Sequence, residues 1–193
     1  MGVPLAYAPL AYALLVLIPL VSLYGLRMDR SFQEAYLFHV GSVTRKKQYY
    51  RLFTPAFLHG DVGHLVINML TFYFFGPAVE YLFGTGGFAI LFIGSQLGAQ
   101  IFTLMRKKNE PNYMSVGASG AVSGIVLAFC VLEPFQTLYF FMILPLPAFV
   151  FAALYLAYTT FAMNGPGRIS HEAHLGGAVT GAILAFILPH LPV

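Results

Sequence analysis

The sequence predicts an all-α integral membrane protein: six transmembrane helices in one bundle, with a long first connection lying in the membrane interface and a short, central fourth helix. Three observations predict it. Hydrophobic residues make up 59% of the 193 positions and charged residues 9%, far outside the balance of a soluble globular domain. Polar breaks divide the chain into six apolar runs, each near the roughly 20 residues that cross a hydrocarbon core about 30 Å thick. In two of those runs small residues recur every fourth position, which lets membrane helices approach closely. Six spans fill residues 1–193, so the chain reads as a single membrane domain without a soluble module.

Span 1 covers about residues 5–26. It lacks a basic leading segment and a small-x-small cleavage site, and so reads as a retained span rather than a signal peptide. Residues 27–63 mix charges (Arg45, Lys46, Lys47) with aromatics (Phe32, Tyr36, Tyr49, Tyr50, Phe53), too apolar for a solvated linker and suited to the interface. Span 2 (64–83) and span 3 (88–105) are separated only by Gly84-Thr85-Gly86-Gly87, which predicts a hairpin. The polar loop 106–112 leads to span 4 (116–132), which Glu133-Pro134-Phe135-Gln136 terminates. Span 5 (137–162) contains Pro145 and Pro147 and is expected to kink there. Loop 163–170 precedes span 6 (173–188). Cys130 is the single cysteine and lies in an apolar run, so no disulfide framework is expected. A net charge of +3 on dispersed carriers argues against nucleic-acid binding.

Ionisable or polar groups at membrane depth are costly, and each invites a functional reading. Span 6 carries Ala173, Gly177, Gly181 and Ala185 along one face, and span 4 carries Gly120, Gly124 and Ala128. Two such ribbons are expected to pack together, bringing Ser119, beside the first, to the depth of His174, a turn above Gly177. A serine hydroxyl is a weak nucleophile until a base takes its proton, and neutral imidazole is the usual base near neutral pH. On span 2, His64 and Asn68 lie four residues apart on one face and at the same end of the bundle. Both can donate hydrogen bonds to a carbonyl oxygen that gains negative charge. Taken singly, each residue also has a plain structural reading: a small packing serine, a hydrogen-bonded histidine, a helix cap, an interhelical amide. If span 4 begins at Ser119, its 14 residues reach only about 21 Å, and the backbone above it must line a water-filled cavity.

These residues resemble the rhomboid family of intramembrane serine proteases. The similar segments are FLHGDVGHLVINMLTFYFFGPAVE (57–80), GASG (117–120) and AHLGGAVTG (173–181), on spans 2, 4 and 6. The wording of the last two is especially similar to mitochondrial-type and related bacterial members. The resemblance implies a rhomboid-like bundle cleaving membrane-protein substrates in or near the lipid bilayer. It assigns Ser119 as nucleophile, His174 as base, and His64 and Asn68 as the oxyanion-stabilising pair. Gly117 and Gly120 match the glycines framing the serine, and Gly177 and Gly181 the packing motif after the histidine. It implies a dyad, with no cofactor and no metal. Tyr50-Arg51 stands where the family usually has Trp-Arg, and Ser123 where some members stack an aromatic on the histidine. Glu172 is expected to point away from the imidazole.

All ten Lys and Arg (27, 30, 45, 46, 47, 51, 106, 107, 108, 168) fall on the side of the bundle that carries these residues. The positive-inside rule would put that side in the cytoplasm. The resemblance implies instead a site open to the non-cytoplasmic face of a prokaryotic cytoplasmic membrane, and that orientation is the one expected. Two other classes stay open at this point. One is a catalytically silent rhomboid-like binding protein, from which the serine or histidine is typically missing. The other is a small transporter with His59, His64, His171 and His174 lining a path. The His-Glu-Ala-His run lacks zinc-protease spacing.

Overall fold

A computed structural model describes residues 3–140, 143–163 and 170–188; most of the expected loop 163–170, with Arg168, lies outside the described residues. The chain is predominantly helical. In order it forms α1 (Pro9–Arg27), α2 (Arg30–Tyr36), β1 (Phe38–His39), α3 (Val40–Thr44), α4 (Val62–Lys107), β2 (Met114–Ser115), α5 (Ser119–Leu132), β3 (Thr137–Phe140), β4 (Leu144–Pro147), α6 (Ala148–Ala162) and α7 (His171–Ile187). Among the described residues two helices, α1 and the 46-residue α4, are long and apolar enough to cross a membrane, while α5 and α6 are shorter apolar helices.

Helix α1 starts at Pro9 rather than Leu5, because the preceding Leu5–Tyr7 is a separate 3₁₀ turn and Pro9 occupies the first helical position, where a missing N–H costs nothing. Helix α4 turns at Gly84, the one residue in it with non-helical angles (φ 69°, ψ 168°). The rings of Phe72 and Phe92 lie 6.0 Å apart, although about 30 Å of straight helix would separate them. The expected hairpin between spans 2 and 3 is therefore present, but its turn is one residue, and Thr85, Gly86 and Gly87 are already helical. Glycine alone enters that region of φ,ψ without steric cost.

Residues 137–140 and 144–147 depart from expectation. They form an antiparallel ribbon pairing Thr137 with Pro147 and Phe140 with Leu144, so the helix starts at Ala148, not Thr137. The cause is Pro145 and Pro147: neither has an N–H to donate, and each drives its predecessor towards extended backbone. Pro147 then serves as the N-cap of α6 in an extended conformation (φ −58°, ψ 143°).

Helix α5 begins at Ser119 and is 14 residues long. It is buried almost throughout, from Gly120 to Ala128 and at Cys130, packed between α7 and the two arms of α4. Helix α1 joins α4 through Glu80. Its fully buried carboxylate accepts from the Leu10 and Ala11 N–H groups at 3.1 and 2.6 Å and from Thr85 Oγ1 at 2.7 Å. Those are orphan amides of a helix N-terminus, where negative charge is favoured.

The first connection is held together by Arg51, which donates to the carbonyls of Glu34 (2.9 Å) and Leu37 (2.7 Å) and to Gln48 Oε1 (2.7 Å). Tyr24, Phe32, Tyr36 and Tyr50 form a row of ring contacts, edge to face between Tyr24 and Phe32 and between Tyr36 and Tyr50, and tilted between Phe32 and Tyr36. Strand β1 pairs with β2, Phe38 with Ser115 and His39 with Met114, tying this connection to the segment that runs into Ser119.

Candidate active site

The approach to Ser119 is fixed by backbone hydrogen bonds. The Gly117 N–H donates to the Pro55 carbonyl at 3.0 Å, and the Ala118 N–H donates to His59 Nε2 at 3.4 Å. Gly117 has φ +133°, a backbone state essentially restricted to glycine. A Cβ there would sit 2.9 Å from His64 Cε1, 3.1 Å from its Nε2 and 3.4 Å from Ser119 Oγ. The His64 ring and the Ser119 hydroxyl thus face one point, with only a glycine hydrogen between them.

His64 stands in the first turn of α4. Its N–H is capped by the Asp61 carboxylate at 2.8 Å, so Asp61, not His64, supplies the cap. Asn68, one turn on and buried, donates through Nδ2 to the His64 carbonyl at 3.0 Å. By contrast the N-cap of α5, Ala118, offers no side-chain acceptor, so the first-turn amides of α5 are not satisfied by a side-chain cap.

Helix α7 meets α5 backbone to backbone. A Cβ on Gly177 would overlap the Gly120 carbonyl oxygen and lie 2.7 Å from its carbon, and one on Gly181 would overlap the carbonyl oxygen and Cα of Gly124. The Ala173 carbonyl is 3.5 Å from the Cβ position of Gly120. Ser119 and His174 are therefore the residues adjoining that crossing, one on each helix. Among the described residues no hydrogen bond joins Ser119 Oγ to His174; the bond Ser119 makes is through its carbonyl, which accepts from Ser123 Oγ at 2.6 Å.

The rhomboid domain model matches residues 46–190. The chain belongs to the rhomboid family. This rhomboid chain is 33% identical over 148 residues to RHOMBOID-like protein 12, mitochondrial, of Arabidopsis thaliana, which takes in 68% of the chain but 44% of that protein. It is 33% identical over 146 residues to Putative rhomboid protease YdcA of Bacillus subtilis (72% of the chain, 67% of that protein) and 29% identical over 190 residues to Rhomboid protein 1, mitochondrial, of Saccharomyces cerevisiae (93% and 53%). The chain thus spans less than half the length of the Arabidopsis relative. The matched region of the rhomboid chain contains His64, Asn68, Gly117, Ser119, Gly120, His174, Gly177 and Gly181, and leaves α1 outside it.

Three further residues around this candidate site carry more than their sequence context announces. His59 is fully buried: Nδ1 meets Ser22 Oγ at 3.2 Å, Nε2 accepts from Ala118, and its carbonyl accepts from Gln33 Nε2 at 2.7 Å. An accepting Nε2 leaves the proton on Nδ1, so this is a neutral imidazole. Burial, with His64 nearby and only partly offset by Asp61, pushes its pKa down to about 3. A sealed ring with both nitrogens engaged does not line an open path. Tyr155 of α6 lies 2.5 Å from Ser123 Oγ, bringing an aromatic from another helix to the position where Ser123 replaces one. His171 sets its ring edge-on to His174 at 5.9 Å and to Tyr158 at 5.5 Å. The only advance signal for these was residue type, since burial and partners depend on the fold. Among the described residues no group of three His, Cys, Asp or Glu is placed to hold a metal ion.

Proposed function

We propose that this rhomboid chain is an intramembrane serine endopeptidase working by a Ser119–His174 dyad. The observation that carries the reading is the common point at Gly117 faced by Ser119 Oγ and the His64 ring, set beside the turn of α7 that bears His174. Ser119 Oγ attacks the peptide carbonyl carbon while His174 takes the hydroxyl proton. The oxyanion is held by His64, by the Asn68 N–H not used on the His64 carbonyl, and by the amide of Ser119 at the uncapped start of α5. Collapse breaks the C–N bond, and His174 returns the proton to the leaving amine. Water then adds to the acyl ester, His174 again serving as base, and Ser119 is released. Preorganised donors of this kind contribute about 10²–10³-fold each.

The reading extends to topology. Helix α1, the two arms of α4, and α5, α6 and α7 form six spans, with the site opening to the non-cytoplasmic face. Substrates enter sideways from the bilayer and present a locally unwound stretch of small residues, since a peptide bond inside an intact helix is closed to attack. Relatives named as proteases, YdcA and Rhomboid protease GluP of Bacillus subtilis, support the class of reaction.

The test is cleavage of a reporter transmembrane substrate in proteoliposomes, with fluorophosphonate labelling as a second readout. Wild type is expected to cleave and to label; Ser119→Ala and His174→Ala are expected to do neither. Cleavage by Ser119→Ala at the wild-type rate sinks the mechanism.

A further inference from the structure

Glu172 lies two residues before His174, yet its carboxylate is turned away from the imidazole and is almost wholly buried, the side chain only 7% exposed. One oxygen lies 3.3 Å from Lys107 Nζ, at the end of α4, and the other accepts from Ser170 Oγ at 3.5 Å. Ser170 Oγ in turn accepts from Tyr113 OH at 2.9 Å, and Lys107 Nζ stands 5.2 Å over the Tyr113 ring. Tyr113 immediately precedes β2, the strand that leads to Ser119. One small cluster therefore grips both pieces of chain that the proposed dyad must hold in register: residues 113–119 and the first turn of α7. Lys107 also meets Glu110 at 3.2 Å, but that carboxylate is 56% exposed, and exposed ion pairs contribute little.

We propose that Lys107 and Glu172, with Tyr113 and Ser170, form a clamp that sets the distance between Ser119 and His174, making Lys107 and Glu172 positioning residues for the reaction. The inference rests on the dyad reading above. A carboxylate that cannot reach the imidazole then controls it through the backbone of the turn that both share. The nearly buried charge is that of Glu172, and releasing Lys107 would leave this carboxylate without its cation.

The experiment uses the full-length chain in proteoliposomes and reads kcat, KM, the fluorophosphonate labelling rate and the thermal unfolding midpoint. Glu172→Gln is expected to lower kcat and labelling about ten- to a hundredfold, the penalty of a small misplacement of reacting groups, with KM unchanged. Glu110→Gln is expected to match wild type. In that Glu110→Gln background, the exchange Lys107→Glu with Glu172→Lys is expected to restore labelling to within about threefold of wild type, since the pair is remade with its sense reversed. Wild-type labelling by Glu172→Gln overturns the clamp. So does an exchanged pair that labels no faster than Glu172→Gln alone, and this arm decides the matter if the single variant unfolds. The dyad reading fails separately, by cleavage in Ser119→Ala.

Discussion

At the scale of single residues, the site depends on side chains whose protonation the fold dictates. His59 is the clearest. Desolvation holds its imidazole neutral, pushing the pKa down to about 3 against an ordinary value near 6.5. Between those two values the unfolded chain binds a proton that the folded chain refuses. Stability therefore rises with pH through that window and is lost as pH falls from about 6.5 towards about 3. His59→Gln is expected to flatten this acid branch of the unfolding midpoint measured in detergent. His59→Leu should in addition lower cleavage, because the Ala118 amide loses its acceptor next to Ser119. An unchanged acid branch would mean that another group governs it. The sequence showed a histidine five positions before His64 and nothing of its partners, since Ser22, Gln33 and Ala118 come from three distant stretches.

At the scale of elements, two glycines of one helix illustrate what each position demands. Gly84 has the positive φ that reverses α4, with nothing within 4 Å of a Cβ, whereas Gly86 is helical and equally open. Gly84→Ala should destabilise by about 1–3 kcal/mol through backbone strain alone, and Gly86→Ala should be neutral or stabilise by about 0.5–1 kcal/mol. Thermal unfolding of the two variants reads the difference. The crossing of α5 and α7 is a different demand, one of space. Gly120→Leu and Gly177→Leu are each expected to abolish cleavage with Ser119 and His174 intact. A Cβ at Gly177 already runs into the Gly120 carbonyl, and one at Gly120 overlaps Ala99 Cβ. Retained activity in both would mean that close packing is not what delivers His174. The α4 hairpin was legible, since glycines mark it locally, and the start of α5 was legible to within three residues: the polar break puts it at 116, with Ser119, where the helix begins, as the alternative. The ribbon of 137–140 with 144–147 was not: hydropathy ran unbroken into α6, and Pro145 and Pro147 read as a kink within a helix that in fact starts only after them, at Ala148.

At the scale of the whole molecule, the features that unite the chain are long-range. Glu80 closes the start of α1 onto α4 across 69 residues, drawing into the bundle a helix that lies outside the matched domain. β1 and β2 bind the first connection to the approach to Ser119. The charge pattern is at odds with the proposed orientation, since the six-span reading of the sequence puts all ten Lys and Arg on the side of the site. Arg51 is an exception in kind, spent on internal carbonyls rather than available to the bilayer surface. A reporter fused to the C-terminus is expected to read cytoplasmic, opposite the site, and a non-cytoplasmic reading reverses the orientation.

By itself the sequence determined the membrane class, the family, and the residues with chemistry to offer, because hydropathy, small-residue spacing and a few polar exceptions are local and survive without coordinates. It also determined that two glycine ribbons could meet. Only the tertiary structure decided what surrounds those residues: that Asp61 caps the helix bearing His64, that His59 holds the peptide before Ser119, and that Glu172 answers Lys107 rather than His174. The physical reason is that a hydrogen bond or an ion pair needs two groups at one place, and proximity between distant stretches of chain is a property of packing, which no local pattern records.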